Sequence, residues 1–145
     1  MSDDFRHRTR VEVRFRDIDA FGHVNNAVVS TYVEQARVRY LIDVLDVDPV
    51  GRMPLILANI SIDYLSPISF DDALEVGSQV DWVGNSSIAM SHLVKVAEGR
   101  ELARSSSVLV AYDYQQALPM PVPDDWRRAF TAHEGRSLER PRGDA

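Results

Sequence analysis

The sequence contains no cysteine. That absence removes disulfide frameworks, thiolate metal sites and any cysteine nucleophile, and it fits a reducing compartment. Long apolar runs are missing too. Nothing approaches the roughly 20 residues a membrane-spanning helix needs, and the polar start, Met1-Ser2-Asp3-Asp4-Phe5-Arg6-His7-Arg8, holds no signal-peptide core. A cytoplasmic protein with no membrane partner is the expectation. Basic residues are outnumbered 16 to 22 by acidic ones, giving a formal net charge of −6. Nucleic acid, which calls for a basic stripe, is not an expected partner. The chain also lacks a Gly-x-Ser-x-Gly elbow, a His-Glu-x-x-His pair, a phosphate loop and a dinucleotide fingerprint. Its four histidines, His7, His23, His92 and His133, follow no ligand spacing. Ser105-Ser106-Ser107 has no activating partner in view.

What remains is an ordinary globular composition, 45% hydrophobic over 145 residues, enough for one domain with a real core. Residues 1–8 read as a disordered N-terminus, 9–134 as the domain and 135–145, polar and charged, as a disordered tail. From Thr9, Val11, Val13 and Phe15 alternate with charged residues, the mark of a half-buried strand. A helix is predicted from Asn25 or Asn26 to about Leu45. Its apolar residues Val29, Tyr32, Val33, Ala36, Tyr40, Val44 and Leu45 recur at three-and-four spacing, and Val28, Val38, Leu41 and Ile42 widen that face. A helix so broadly apolar is expected to be wrapped by the rest of the chain.

Four strand-like segments follow a connection over 46–54. Ile56, Ala58, Ile60, Ile62 and Tyr64 alternate in the first, and Leu74, Val76, Val80 and Trp82 in the second. Gly84-Asn85 and Glu98-Gly99 are turns before the third and fourth, and Val108, Val110 and Tyr112 share a face of the last. Three prolines then lead to a short helix opening at Asp124-Asp125-Trp126. The implied fold is α+β: a curved antiparallel sheet of five strands around one long helix, with a short C-terminal helix. Such a sheet leaves a face that a second copy would cover.

Chemistry concentrates where the first strand meets the helix, in Arg16-Asp17-Ile18-Asp19-Ala20-Phe21-Gly22-His23-Val24-Asn25-Asn26. Asp-x-Asp opens a calcium loop, but Phe21 takes the fifth ligand position and Val28 the twelfth, so no metal is expected. Asp17 and Asp19 have a local use, bonding turn amides. They also have a chemical one. A helix N-terminus presents unpaired N–H groups that can hold a developing oxyanion. A nearby carboxylate can attack a carbonyl or deprotonate water. Asp19 lies seven residues before Asn26, close enough for both to face one small volume. His23 reads as an acid–base group, a positioning residue or a loop histidine bonded to backbone. Asn25 and Asn26 read as caps or ligands, Glu34 as a buried carboxylate supporting the site or a solvated one, and Arg37 and Arg39 as surface or salt-bridge residues.

This stretch, with Tyr32-Val33-Glu34-Gln35-Ala36-Arg37, Ile60-Ser61-Ile62-Asp63-Tyr64-Leu65-Ser66-Pro67 and Asp72-Ala73-Leu74-Glu75-Val76, resembles hotdog-fold acyl-CoA thioesterases of the 4-hydroxybenzoyl-CoA thioesterase type. The likeness covers roughly residues 9 to 123. It implies a dimer or tetramer with sites between subunits, Asp19 as the catalytic carboxylate and the Asn26 N–H as oxyanion donor. It places Asn59 of a partner's strand along the acyl pocket. It implies no metal or redox cofactor, with coenzyme A present only as part of the substrate. One departure stands out. The turn that is basic in the best-known relatives is Gly84-Asn85-Ser86-Ser87 here, leaving the Ser86 and Ser87 hydroxyls for a phosphate, or Arg100 or Arg104 from elsewhere in the chain. Two rivals are a non-catalytic acyl-CoA-binding module and an enoyl-CoA hydratase or dehydratase. The second lacks the proline before His23 that its Asp-x-Asn-Pro-x-His pattern requires.

Overall fold

Two strands adjacent in sequence lie at opposite edges of the sheet, and the long helix is the crossing between them. The computed structural model describes residues 4–48 and 51–142. Strand β1 spans His7–Glu12, a single 3-10 turn follows at Phe15–Asp17, and helix α1 runs Asn26–Leu45. Strands β2 (Leu55–Tyr64), β3 (Ala73–Val83), β4 (Ser87–Val96) and β5 (Glu101–Asp113) follow, then a two-residue β6 (Leu118–Pro119) and helix α2 (Asp124–Glu134). The order across the sheet is β1-β3-β4-β5-β2, antiparallel throughout, with β6 paired to β5. This is the hotdog arrangement that the motif resemblance implies. The α1 stripe Val29, Tyr32, Val33, Ala36, Tyr40 and Leu41 is buried. Its opposite side, including Val38, stays exposed, so one chain covers a single face of the helix.

Two bulges correct the expected alternation. In β2 the register slips at Ala58, so Leu57 pairs with Leu109 while Ile60 pairs with Ser107. Leu55 and Leu57, not Ile56 and Ala58, therefore share the concave face with Ile60 and Ile62. In β3 the slip falls at Asp81, which puts Val83 into the core and turns Trp82 away from it. An extra residue reverses every later side chain, because the strand period is two. In β5 the core face is Leu109 and Ala111, with Ser105 and Ser107 beside them; Val108, Val110 and Tyr112 occupy the other face.

Both chain ends pack more than their composition suggests. Phe5 lies on Gly77, where a Cβ would meet the ring Cγ at 2.6 Å, so only glycine permits the contact. β1 pairs with β3 only as far as Ser78, leaving the rest of that strand's edge without a ladder partner. Buried backbone groups need partners, and α2 and the residues after it supply them. Glu134 Oε2 accepts from the Val80 N–H at 3.0 Å and from the Tyr40 hydroxyl at 2.5 Å. Arg136 donates to the Val80 carbonyl at 2.8 Å, and the Val83 N–H donates to Leu138 at 2.7 Å. The expectation of disorder thus fails for residues 5–8 and 136–139, since sheet edge and sheet face give these short segments something to bury. Residues 1–3, 143–145, and 49–50 of the expected connection lie outside the described residues.

Glu134 is the residue on which this edge closure turns. Glu134→Ala should destabilise the fold by about 1–3 kcal/mol for each buried group left unpaired, measured by urea unfolding. Glu134→Gln, which keeps an acceptor, should lose less; equal losses would count against the hydrogen bonds as the cause.

Candidate active site

The loop between β1 and α1 is a small hairpin built on the Ile18–Val24 bridge. The Asp19 N–H donates to the His23 carbonyl at 3.0 Å, and the Gly22 N–H to the Asp19 carbonyl at 3.0 Å. Gly22 sits at φ 85°, the left-handed conformation that closes such three-residue loops and that glycine adopts without strain. His23 is exposed, and its ring has no hydrogen bond among the described residues.

The two aspartates separate in role. Asp17 is buried, and its Oδ2 accepts from the Tyr32 hydroxyl at 2.6 Å and the Arg14 N–H at 3.0 Å. Its Oδ1 accepts from Arg14 Nη2 at 3.0 Å, and its carbonyl accepts from the Asn25 N–H at 2.9 Å. Burial pushes this carboxyl up, but the hydrogen bonds from Tyr32 and Arg14 outweigh it and hold the group below its ordinary value. Asp17 ties the loop to the helix and has no oxygen left over for chemistry.

Asp19 is half-buried and less engaged. Oδ1 accepts from the Phe21 N–H at 2.9 Å, the local turn bond expected of such a residue, and Oδ2 accepts from Asn25 Nδ2 at 3.1 Å. Each oxygen keeps a lone pair for another partner. Asn25 is also the cap of α1: its Oδ1 accepts from the Ala27 N–H at 2.8 Å. One amide therefore holds the carboxylate and closes the helix.

Asn26, the first helical residue, lines a cavity of about 260 Å³ with Val24, Val29, Tyr64, Ile68 and Leu102. Asp19 does not line it; the carboxylate stands at the loop side of the same helix mouth, held there by Asn25. The Asn26 carbonyl accepts from the Tyr64 hydroxyl at 3.0 Å, and its N–H has no acceptor among the described residues. Periodicity marks Tyr64 as one more apolar position of β2 and the family motif includes it, but its hydroxyl finds α1 only because the sheet curls.

Asp19, Asn25 and Asn26 thus come together at one place. Asn59 does not join them within the chain: it is exposed on β2, five residues or roughly 17 Å along the strand from Tyr64. Ser86 and Ser87 lie at the far end of the sheet, because β3 runs from Leu74, beside the site, to Val83, beside their turn. That turn is less neutral than its own residues, since Arg127 of α2 donates to the Gly84 and Asn85 carbonyls. Arg37 also differs from expectation. It is 5% exposed, turned inward with Val33 and Leu41. No group of three His, Cys, Asp or Glu among the described residues is placed to hold a metal ion. None of the described helices is long and apolar enough to cross a membrane.

A family model described as the thioesterase-like superfamily matches residues 13–130. The chain belongs to that superfamily. It is a thioesterase of the hotdog fold, an enzyme that hydrolyses acyl thioesters. It is similar to a Thermus thermophilus thioesterase whose crystal structure holds coenzyme A and Zn, at 39% identity and a TM-score of 0.85, covering 94% of this chain and 100% of that one. Among curated proteins it is 28% identical to the long-chain acyl-CoA thioesterase FadM of Escherichia coli, over 78% of this chain and 89% of FadM. It is 25% identical to the chloroplastic acyl-acyl carrier protein thioesterase ATL3 of Arabidopsis thaliana, over 86% of this chain and 67% of ATL3.

The separation of the two aspartates has a measurable consequence. Asp17 has a folded-state value below its ordinary 3.8, so its stabilising effect is full above that pH and lost as pH falls through the folded value. Asp17→Asn should cost about 1.5–3 kcal/mol near neutrality, and the gap to the parent should close in strong acid. Urea midpoints at the two pH values test this; a constant gap would mean the charge is not responsible.

Proposed function

We propose that this thioesterase hydrolyses acyl-CoA, with Asp19 as nucleophile or general base and the Asn26 N–H as oxyanion donor. The observation that carries the reading is the run Asp19–Asn25–α1 N-terminus, placed beside the cavity that Asn26 lines. A thioester carbonyl seated there would meet the Asn26 N–H and the partial positive charge of the helix end. Attack by Asp19 Oδ, or by a water that Asp19 deprotonates, gives the tetrahedral oxyanion. Its collapse expels the thiolate, which takes up a proton to leave as thiol; in the nucleophilic route water then cleaves the acyl-enzyme anhydride. Asn25 orients the carboxylate in either route. His23, exposed beside the loop, serves as an acid–base or positioning group for the bound thioester. Coenzyme A enters only as part of the substrate, and the site of action is the cytoplasm. The coenzyme A held by the Thermus enzyme and the acyl-CoA substrate named for FadM support this choice of thiol.

The working unit in this reading is a dimer or a tetramer built from two dimers. β2 is a ten-residue edge strand, exposed at Leu57 (43%), Ile60 (36%) and Tyr64 (48%). An edge this long and apolar invites pairing. Pairing with a second β2 would bring Asn59 of another copy towards the site, and a further copy would be the source of Ser86 and Ser87 for the nucleotide.

Two experiments follow. Asp19→Asn, checked for folding by circular dichroism, should lose on the order of 10²–10⁴-fold in turnover with any acyl-CoA the parent cleaves. Unchanged rates would end the assignment, and oxygen-labelled water in a single turnover separates the routes by whether label enters Asp19. The double substitution Leu57→Asp with Ile60→Asp should give a folded monomer in sedimentation velocity, with hydrolysis lost. A variant that stays dimeric, or a monomer that stays active, would exclude the β2 pairing.

A further inference from the structure

A polar row crosses the concave face beneath the middle of α1. The register runs His7–Ser78–His92–Ser105 and ends at Ile62 on the open edge. This row divides the apolar core into two clusters, one near the loop with Val33, Val76 and Val94, the other with Tyr40, Met90 and Leu109. Arg37 enters the same layer from the helix. Arg37, His92, Ser105 and Ser107 are all buried, at 5%, 2%, 5% and 2% exposure. Arg37 Nη1, His92 Nε2, Ser105 Oγ and Ser107 Oγ each lack a hydrogen-bond partner. Unpartnered atoms also occur on the β1 side, at His7 Nδ1 and Thr9 Oγ1, but His7 is held by Asp43 through its other nitrogen at 2.9 Å.

Native interiors rarely leave such groups unpaired, and four gathered in one layer point to a missing occupant. Ser105 is the register partner of His92, and Ser107 is the next β5 residue on that face. Burial, with the Arg37 charge, pulls His92 down to about 3, so the imidazole is neutral at working pH. Nδ1 is shared with the Ser78 hydroxyl at 2.9 Å, which leaves Nε2 to meet the occupant. Water would satisfy the hydroxyls and the ring. It would leave the guanidinium without a counter-charge in the core, for Arg37 has no ion pair among the described residues and only the exposed Glu34 offsets its burial. An anion answers both needs.

The location connects this layer to the site. Tyr64, whose hydroxyl reaches the Asn26 carbonyl, pairs with Ala103. Ser105 and Ser107 lie two and four residues further along β5, roughly 7 and 13 Å at 3.3 Å per residue. Their neighbours Ile62 and Ile60 belong to the half-covered edge strand. A short to medium acyl chain with its thioester at the helix mouth would end in this layer.

We infer that Arg37, His92, Ser105 and Ser107 form a subsite for a carboxylate at the far end of the acyl group, so that the preferred substrates are ω-carboxyacyl thioesters. The inference rests on the thioesterase site proposed above. It is tested by comparing kcat/KM for suberoyl-CoA and octanoyl-CoA, which differ at the chain end alone. The parent should favour suberoyl-CoA by about tenfold or more, the worth of one charged hydrogen-bonded contact. Arg37→Met should lower that preference by at least about tenfold, and Arg37→Lys should restore part of it. Ser107→Ala, a small change that keeps the fold readable if Arg37→Met does not fold, should lower the preference roughly threefold. A parent that prefers octanoyl-CoA, or variants that slow both substrates equally, would overturn the subsite. So would Arg37→Met dissociating the oligomer with the preference intact, which would make Arg37 an interface residue. Should no acyl-CoA be cleaved at all, the hydrolytic reading is what fails, and calorimetric titration with free suberate still decides the subsite. Binding to the parent that weakens at least about tenfold in Arg37→Met supports it, and no binding to the parent refutes it.

Discussion

The placement of Asp19 depends on a single amide. Asn25 caps α1 through its oxygen and holds Asp19 through its nitrogen. The carboxylate is therefore positioned by the same hydrogen bonds that begin the helix, and the electrostatics of the helix end and the placement of the acid cannot vary independently. Asp17 supports this from below, bound to Tyr32 on one side and to Arg14 on the other. Two aspartates one residue apart thus divide the labour, one buried and saturated, the other half-exposed with capacity to spare.

The same crossing of the sheet by α1 that creates this mouth leaves the fold unfinished elsewhere. The edge beyond β1 is closed from within the chain, by Glu134, Arg136 and Leu138. Among the described residues nothing covers the β2 edge in this way, and its apolar residues remain exposed. A protein that seals one edge carefully and leaves the other open has its two edges under different demands. The open one adjoins the polar row of the interior, so the least covered part of the sheet is also where the core is least apolar.

The polar row carries a cost that a purely structural core would avoid. Hydrophobic residues at Ser105, Ser107 and His92 would bury area without stranding polar atoms. Their presence beside an inward-facing arginine sets this interior apart from simple apolar packing.

Composition, periodicity and motif were enough to determine the class of the fold and the bounds of α1, and to single out the loop between β1 and α1. Alternation and capping are local properties, and Asn25 could be read as a cap from its neighbours alone. The partner on the other side of that amide was already within reach, because Asp19 and Asn25 are separated by a five-residue turn. What only the tertiary structure decided is long-range. A bulge at Ala58 or Asp81 leaves no mark in hydrophobic pattern, yet it reverses the faces that follow. Tyr64 meets α1, and residues 136–139 find the β3 edge, because the sheet curls and β1 is short. Arg37 reads as a surface or salt-bridge residue in a polar stretch of helix, and only the packing of α1 on the sheet buries it within reach of His92. Burial is a property of what packs against a residue, and that lies far away in the chain.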